Sequence, residues 1–309
     1  MSRMPMRNPV SELVAQRGFA ILDGAMATEL EVRGADLSGG LWSARVLLDH
    51  PALVGEVHRA YFEAGADIAI TATYQAGIEG FAQAGVSEAD AIRLMHLAVR
   101  LARSARDTIS PDGVVATSVG PYGAVLADGS EYRGDYGLSE AELVRFHAPR
   151  LALFAEPGVE VFACETIPSF VEARALVTAL REIPDAPAWM TFTARDETSI
   201  SDGTPIFDCV EFLDRQDQIV AIGVNCTPTE FITPLIRAIR SSTAKPVVVY
   251  PNSGEAWDSV SQSWSGRRAR QDFGQLAEEW YEAGARIIGG CCRTGPADIA
   301  SITEHLERA

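Results

Sequence analysis

Eight short apolar runs punctuate this chain, and each is followed by a stretch with helical spacing. The runs occupy 19–24 (FAILDG), 67–74 (DIAITATY), 114–121 (VVATSVGP), 159–166 (VEVFACET), 188–194 (AWMTFTA), 219–226 (IVAIGVNC), 246–252 (PVVVYPN) and 286–292 (RIIGGCC). They are rich in β-branched residues and largely apolar on both faces, the pattern of parallel strands buried on both sides. Helical patterns cover 51–65, 87–107, 139–158, 169–183, about 205–215, 229–241, 270–284 and 296–308. In the first of these, Pro51 suits the opening turn and Gly65 the position just past the end. Three helix-to-strand joints read almost alike: EAGADI at 63–68, EPGVEV at 156–161 and EAGARI at 282–287. A βα unit used eight times predicts a single (β/α)8 TIM-type barrel, with a doubly wound open sheet as the competing arrangement. With 309 residues and no Pro/Ser-rich linker, the chain is expected to form one domain over 1–309, its core over about 10–308.

Active sites of such barrels lie at the C-terminal ends of the strands. The runs end in Asp23-Gly24, in Thr71, Thr73 and Tyr74, in Ser118, in Glu165-Thr166, in Asn225-Cys226, in Asn252 and in Cys291-Cys292. Apolar strands that repeatedly finish on a polar or sulfur residue at the same end are informative as a set. Three of the five cysteines, Cys226, Cys291 and Cys292, fall there. Successive side chains of a continuing strand point to opposite faces, so Cys291 and Cys292 serve one purpose only if the chain turns. Gly289-Gly290 before them and Gly295-Pro296 after them permit a turn. Three thiolates at one barrel mouth favour Zn2+ with an open fourth position. The competing reading makes Cys226 a small buried hydrophobe and the pair incidental. Cys164 is expected to point away from Glu165 into the core, and Cys209, in a helical segment, to be core as well.

Asp23 and Glu165 either cap the helices that follow or bind a substrate ammonium group. Trp42 and Tyr74 are packing residues or faces for a cationic ligand. All five histidines fall in helical stretches or their flanks, which argues against a histidine base or ligand set. The insert 123–138 holds four glycines and the carboxylates Asp128, Glu131 and Asp135. It reads as a loop over one face, either solvated or closing on a cation.

Net charge is −16, which disfavours nucleic acid or an anionic membrane as the main partner. The first ten residues lack the apolar region of a secretory signal, and no apolar run is long enough to span a bilayer. An odd number of cysteines, two of them adjacent, does not suggest a disulfide framework, so a cytoplasmic location is expected.

The segments ILDGAMATELEVRG (21–34), SVGPYGAVLADGSEYRGDY (118–136), ACETIPS (163–169), GVNC (223–226), VVYPNSGE (248–255) and IGGCCRTGPADI (288–299) together resemble the homocysteine S-methyltransferases, most of all those that use S-methylmethionine. The resemblance runs from about residue 10 to 300. It implies a (β/α)8 barrel in which Cys226, Cys291 and Cys292 bind zinc. It also implies that Asp23 and Glu165 hold the amino group of L-homocysteine while backbone near Gly24, Ala25 and Met26 meets its carboxylate. A tryptophan resembling Trp42 touches the methyl donor in betaine-using relatives; Tyr74 and Asn252, read from the residues as strand-end positions, are further substrate-side candidates. The expected reaction is zinc-dependent methyl transfer from S-methylmethionine or S-adenosylmethionine to the homocysteine thiolate, giving methionine. Betaine, a corrinoid-bound methyl group and a non-catalytic thiol sensor are the competing readings. Betaine-using relatives also carry an oligomerising arm beyond the barrel, whereas here Ala309 follows one helix after the cysteine pair. The oligomeric state stays open.

Overall fold

The computed structural model describes residues 6–37, 42–126, 128–156, 158–254, 256–258, 263–265 and 272–308. Side chains are described within these except at 42–44, 256–258 and 263–265. Its centre is a ring of eight strands: β1 (Ala20–Ile21), β2 (Ile68–Ile70), β3 (Val114–Val119), β4 (Val161–Ile167), β5 (Ala188–Phe192), β6 (Ile219–Asn225), β7 (Val247–Tyr250) and β8 (Ala285–Ile288). All neighbouring pairs are parallel, from β1 through β8, β7 and on down to β2. A parallel bridge between Leu22 and Ile68 joins β1 to β2 and closes the ring. The open-sheet alternative is thereby excluded, and the (β/α)8 barrel stands. Among the described residues no helix is long and apolar enough to cross a membrane.

The strands are shorter than their apolar runs because the last residues of several runs leave the ladder. The 67–74 run keeps only Ile68–Ile70 as strand, and the 286–292 run only 286–288, within β8 (Ala285–Ile288). The released residues build the mouth of the barrel. Each long helix stands where the 3.6-residue spacing predicts it. Ser87 caps the helix Glu88–Ile109 by accepting from the Asp90 backbone N–H at 3.2 Å, and Ser139 with Glu142 forms a capping box at the start of Glu140–Ala155. Short helices at Pro9–Arg17, Met26–Val32, Trp42–Asp49, Ile78–Gln83 and Tyr122–Leu126 escaped the periodic reading, being one to two turns of mixed polarity. A two-strand antiparallel hairpin, Ala256–Asp258 with Ser263–Ser265, follows β7.

Strand side chains divide between two apolar layers. Outward residues such as Ile21, Phe162, Cys164, Met190 and Ile222 pack under the helices. Inward residues such as Leu22, Ala116, Ala163, Trp189 and Val248 fill the barrel axis. Tyr250 tops that inner stack, its hydroxyl within 3.3 Å of the Trp189 indole N–H and 2.8 Å of Thr191 Oγ1. The inner layer is thus packed with apolar side chains among the described residues, and a cavity opens above Tyr250.

Candidate active site and metal centre

The adjacent cysteines lie outside the strand rule because β8 ends before them. At Gly290 a Cβ would collide with Thr294 Oγ1, so only glycine allows the chain to fold back there. The Cys291 N–H donates to the Pro251 carbonyl at 2.8 Å, and the Ser253 N–H donates to the Cys292 carbonyl at 3.0 Å, pinning the pair to the segment after β7. Arg293 takes a left-handed conformation, φ 67°, and the Thr294 N–H returns to the Cys291 carbonyl at 3.1 Å. In this turn both thiols face one point.

Cys226 arrives from the other side. It follows β6 directly and also has a left-handed backbone, φ 47°, with its N–H bonded to the Tyr250 carbonyl at 3.2 Å. The sulfurs of Cys226, Cys291 and Cys292 all lie within 4.8 Å of one another, and those of the adjacent pair are 4.0 Å apart. Tetrahedral thiolate ligation at about 2.3 Å from zinc requires sulfurs roughly 3.8 Å apart, so the three need to close by less than about 1 Å. The donor set is soft and leaves the fourth position open toward the cavity, so these residues fit a catalytic zinc. As free thiols they share protons. Cys226 and Cys291 donate toward Cys292 and hold its pKa well below the ordinary value, while that of Cys226 is driven up by its two thiol neighbours and by burial.

One side chain organises the strand ends beside this cluster. The Oδ1 of Asn225 accepts from the Thr166 N–H at 2.7 Å and from Thr191 Oγ1 at 2.8 Å, while its Nδ2 donates to Thr166 Oγ1 at 2.8 Å. Thr166 is a β-branched residue at φ 61°, a conformation such residues adopt only when their surroundings impose it. The β4–β5 register shifts between Cys164 and Ile167, and as a result Glu165 and Thr166, though consecutive, both line the cavity.

The cavity above Tyr250 is about 140 Å³ and is bounded by the three cysteines, Glu165, Thr166 and Tyr250. Its wall includes Asp23, Gly24, Ala25 and Met26 after β1, Thr71, Tyr74 and Gln75 after β2, and Glu131 and Tyr132 from the insert. Neither acid caps a helix. Asp23 is 3 % exposed, and its Oδ2 accepts from the Ile70 N–H at 2.9 Å. Burial raises its pKa well above the usual carboxylate range. Glu165 is 7 % exposed and accepts from the Ser118 hydroxyl, and burial pushes its pKa up to about 8. Two buried carboxyls facing one space without a cationic side chain between them suit a positively charged ligand.

The remaining candidates separate cleanly. Tyr74 lines the cavity, but Asn252 does not: from that connection the lining residue is Tyr250, and Asn252 Oδ1 is buried without a hydrogen-bond partner. The Trp42 side chain lies outside the described residues. Cys164 and Cys209 are fully buried in the helix-facing core, as expected. His147 is buried against Glu172, with its Nε2 2.9 Å from Glu172 Oε1, and no histidine lines the cavity among the described residues. Glu131, Tyr132, Tyr250 and the bracing by Asn225 were not singled out by the sequence. Tyr250 read as an ordinary strand residue, and Glu131 was one of three equivalent carboxylates.

Comparison with known proteins gives a consistent picture. Residues 20–306 match the family model described as homocysteine S-methyltransferase. The chain is 49% identical over 304 residues to homocysteine S-methyltransferase YbgG of Bacillus subtilis (strain 168), covering 96% of each. It is 47% identical to the homocysteine S-methyltransferase of Escherichia coli (strain K12), covering 97% of this chain and 99% of the other. Among solved structures, the metallated form of the E. coli homocysteine methyltransferase MmuM superposes with a TM-score of 0.87 at 45% identity, covering 98% of this chain and 100% of that one. Its apo form superposes with a TM-score of 0.79, at 39% identity and 96% and 100% coverage.

Proposed function

The chain belongs to the homocysteine S-methyltransferase family, and on that premise we propose that it methylates L-homocysteine from a sulfonium donor, S-methylmethionine or S-adenosylmethionine, giving methionine. Cys226, Cys291 and Cys292 would hold one zinc ion. The observation that carries this reading is the convergence of three thiols from two strand ends, within 4.8 Å, on a cavity walled by two buried carboxyls.

Zinc held there would supply the positive charge that lets a docking thiol lose its proton near neutral pH. The chain's own residues do the rest. Asp23 and Glu165, both acceptors when ionised, take the ammonium group of homocysteine, and the backbone of Gly24–Met26 meets its carboxylate. This sets the homocysteine sulfur beside the cysteine cluster. The sulfur attacks the methyl carbon of the donor in line. A new S–CH3 bond forms, the donor's S–CH3 bond breaks, and its electron pair returns to the donor sulfur, which becomes a neutral thioether. With S-methylmethionine both products are methionine. The thiol proton leaves to solvent, so no side chain need act as general base, in keeping with a cavity free of histidine among its described lining. Tyr250 and the packed axis below it keep water out from beneath, and positioning supplies the rate. We read 1–309 as one such barrel domain, in the reducing cytoplasm that free thiols require.

The test is a donor panel on zinc-loaded protein: homocysteine with S-methylmethionine, S-adenosylmethionine or betaine, scored by methionine formed. Methionine from a sulfonium donor and none from betaine is expected. Turnover with betaine alone would overturn the donor assignment.

A further inference from the structure

The insert after β3 carries three carboxylates, and the fold treats them differently. Asp128 is exposed, and its Oδ1 accepts from the Ser130 N–H at 2.9 Å. Asp135 is exposed and pairs with Arg133 at 3.3 Å. Glu131 alone turns inward: it is 5 % exposed, lines the cavity, and its Oε2 is buried with no hydrogen-bond partner. An acceptor left open in this way costs stability unless a ligand completes it.

The insert is built to hold that carboxylate still. Gly123 packs so closely on the backbone of Glu131 that a Cβ there would collide with its N–H. The Gln75 side chain donates to the Ala124 carbonyl at 3.0 Å, and the Gly134 N–H closes on the Ser130 carbonyl at 2.9 Å. Tyr74 and Tyr132 line the cavity with Glu131, whose negative charge bears on both tyrosines. The cavity wall thus carries acid from separate parts of the chain: Asp23 after β1, Glu165 in β4, and Glu131 in the insert after β3.

We propose that Glu131 anchors the α-ammonium group of the methyl donor, forming with Tyr74 and Tyr132 a second amino-acid subsite distinct from the homocysteine pole at Asp23 and Glu165. This rests on the reading of the donor as an amino-acid sulfonium. A carboxylate with one unpartnered oxygen, in a cavity that two tyrosines also line, is suited to receive an ammonium group. The two subsites place two amino acids head to head, their sulfurs meeting at the cysteines.

The experiment compares Glu131→Gln with the wild type on zinc-loaded protein, using S-methylmethionine and its desamino analogue, each as substrate or as competitive inhibitor. The substitution keeps the shape and removes the charge. The KM for S-methylmethionine should rise about tenfold or more, as loss of a charge-assisted hydrogen bond predicts. The KM for homocysteine and the constant for the desamino analogue should stay within about twofold, since neither meets Glu131 through an ammonium group. Glu131→Asp should recover part of the loss. Equal weakening of both donors, or of homocysteine, would make Glu131 a structural loop residue and overturn the inference. An unchanged KM for S-methylmethionine would overturn it too. Wild-type protein inactive with every sulfonium would instead sink the functional reading itself.

Discussion

Cys164 and Cys226 are both buried, both belong to barrel strand segments, and yet inhabit different chemistry. Cys164 lies within β4 in ordinary strand register, opposite Val119 of β3 and Met190 of β5. It packs under the helices, where burial pushes its thiol up to about 12. Cys226 lies one residue past β6 in a left-handed conformation and meets two other sulfurs. Burial is common to both. What separates them is a backbone turn at the strand end, which converts an outward or inward alternation into convergence on one point. The same device acts at Glu165-Thr166 and at Cys291-Cys292, where consecutive residues share a face that a continuing strand would deny them.

The contrast can be broken most forcefully by removing sulfur. Cys226→Ala should release most of the bound zinc and abolish methyl transfer, measured by metal analysis and methionine formation after anaerobic preparation. If Cys164→Ala caused an equal loss of metal, the two regions would not differ as claimed.

A second test attacks the brace and leaves the thiols in place. Asn225→Ala strips Thr166 of its N–H acceptor and leaves Thr191 Oγ1 without that partner. We expect stability to fall by about 2–3 kcal/mol from the unsatisfied buried groups. Turnover should fall on the order of 100-fold as Glu165 and Cys226 drift. Zinc should still bind, because all three sulfurs remain. Denaturant melts and a metal assay on the same sample separate these effects, and a variant with full activity would show that the left-handed strand ends need no brace.

The acidic wall gives a smaller effect with a defined sign. Glu165→Gln should raise the KM for homocysteine about tenfold without loss of metal. In metal-free protein the raised pKa of Glu165 contributes stability that is complete below the unfolded value of 4.5 and is lost as pH climbs through about 8. Thermal melts from pH 5 to 9 should therefore fall for the wild type, and the slope should flatten in Glu165→Gln. Parallel slopes would remove Glu165 from the account of the pH dependence.

The mildest expectation concerns the other region. Cys164→Ala and Cys209→Ala should each cost about 1 kcal/mol of stability, the removal of a small buried side chain, and leave turnover within about twofold. A large loss of activity from either would extend the site into the helix-facing core.

Much of this was legible before any coordinates. Eight apolar runs with a polar or sulfur residue at one end identify the barrel and its mouth, because strand period and barrel polarity are local properties of sequence. The mouth cysteines follow from their place at the ends of the runs, the core position of Cys164 from strand alternation, and that of Cys209 from its helical segment. The left-handed residues Thr166, Cys226 and Arg293 were not legible, since side chains other than glycine take that conformation only where tertiary contacts impose it: those of Asn225 for Thr166, the Tyr250 carbonyl for Cys226 and Thr28 Oγ1 for Arg293. Nor could the sequence choose Glu131 over Asp128 and Asp135: the choice depends on the close approach of Gly123, which lies eight residues away. Asn252 and Tyr250 exchanged places as the cavity residue for a related reason. The strand ends at Tyr250, two residues sooner than the apolar run.

The central claim, that the three-cysteine cluster activates the incoming thiol, is tested most directly by zinc-edge X-ray absorption of the loaded protein with single substrates. Three sulfur neighbours and one lighter atom are expected in the free protein, four sulfurs once homocysteine is added, and no change with the donor alone. A sulfur shell unchanged by homocysteine, or one altered only by the donor, would contradict that claim.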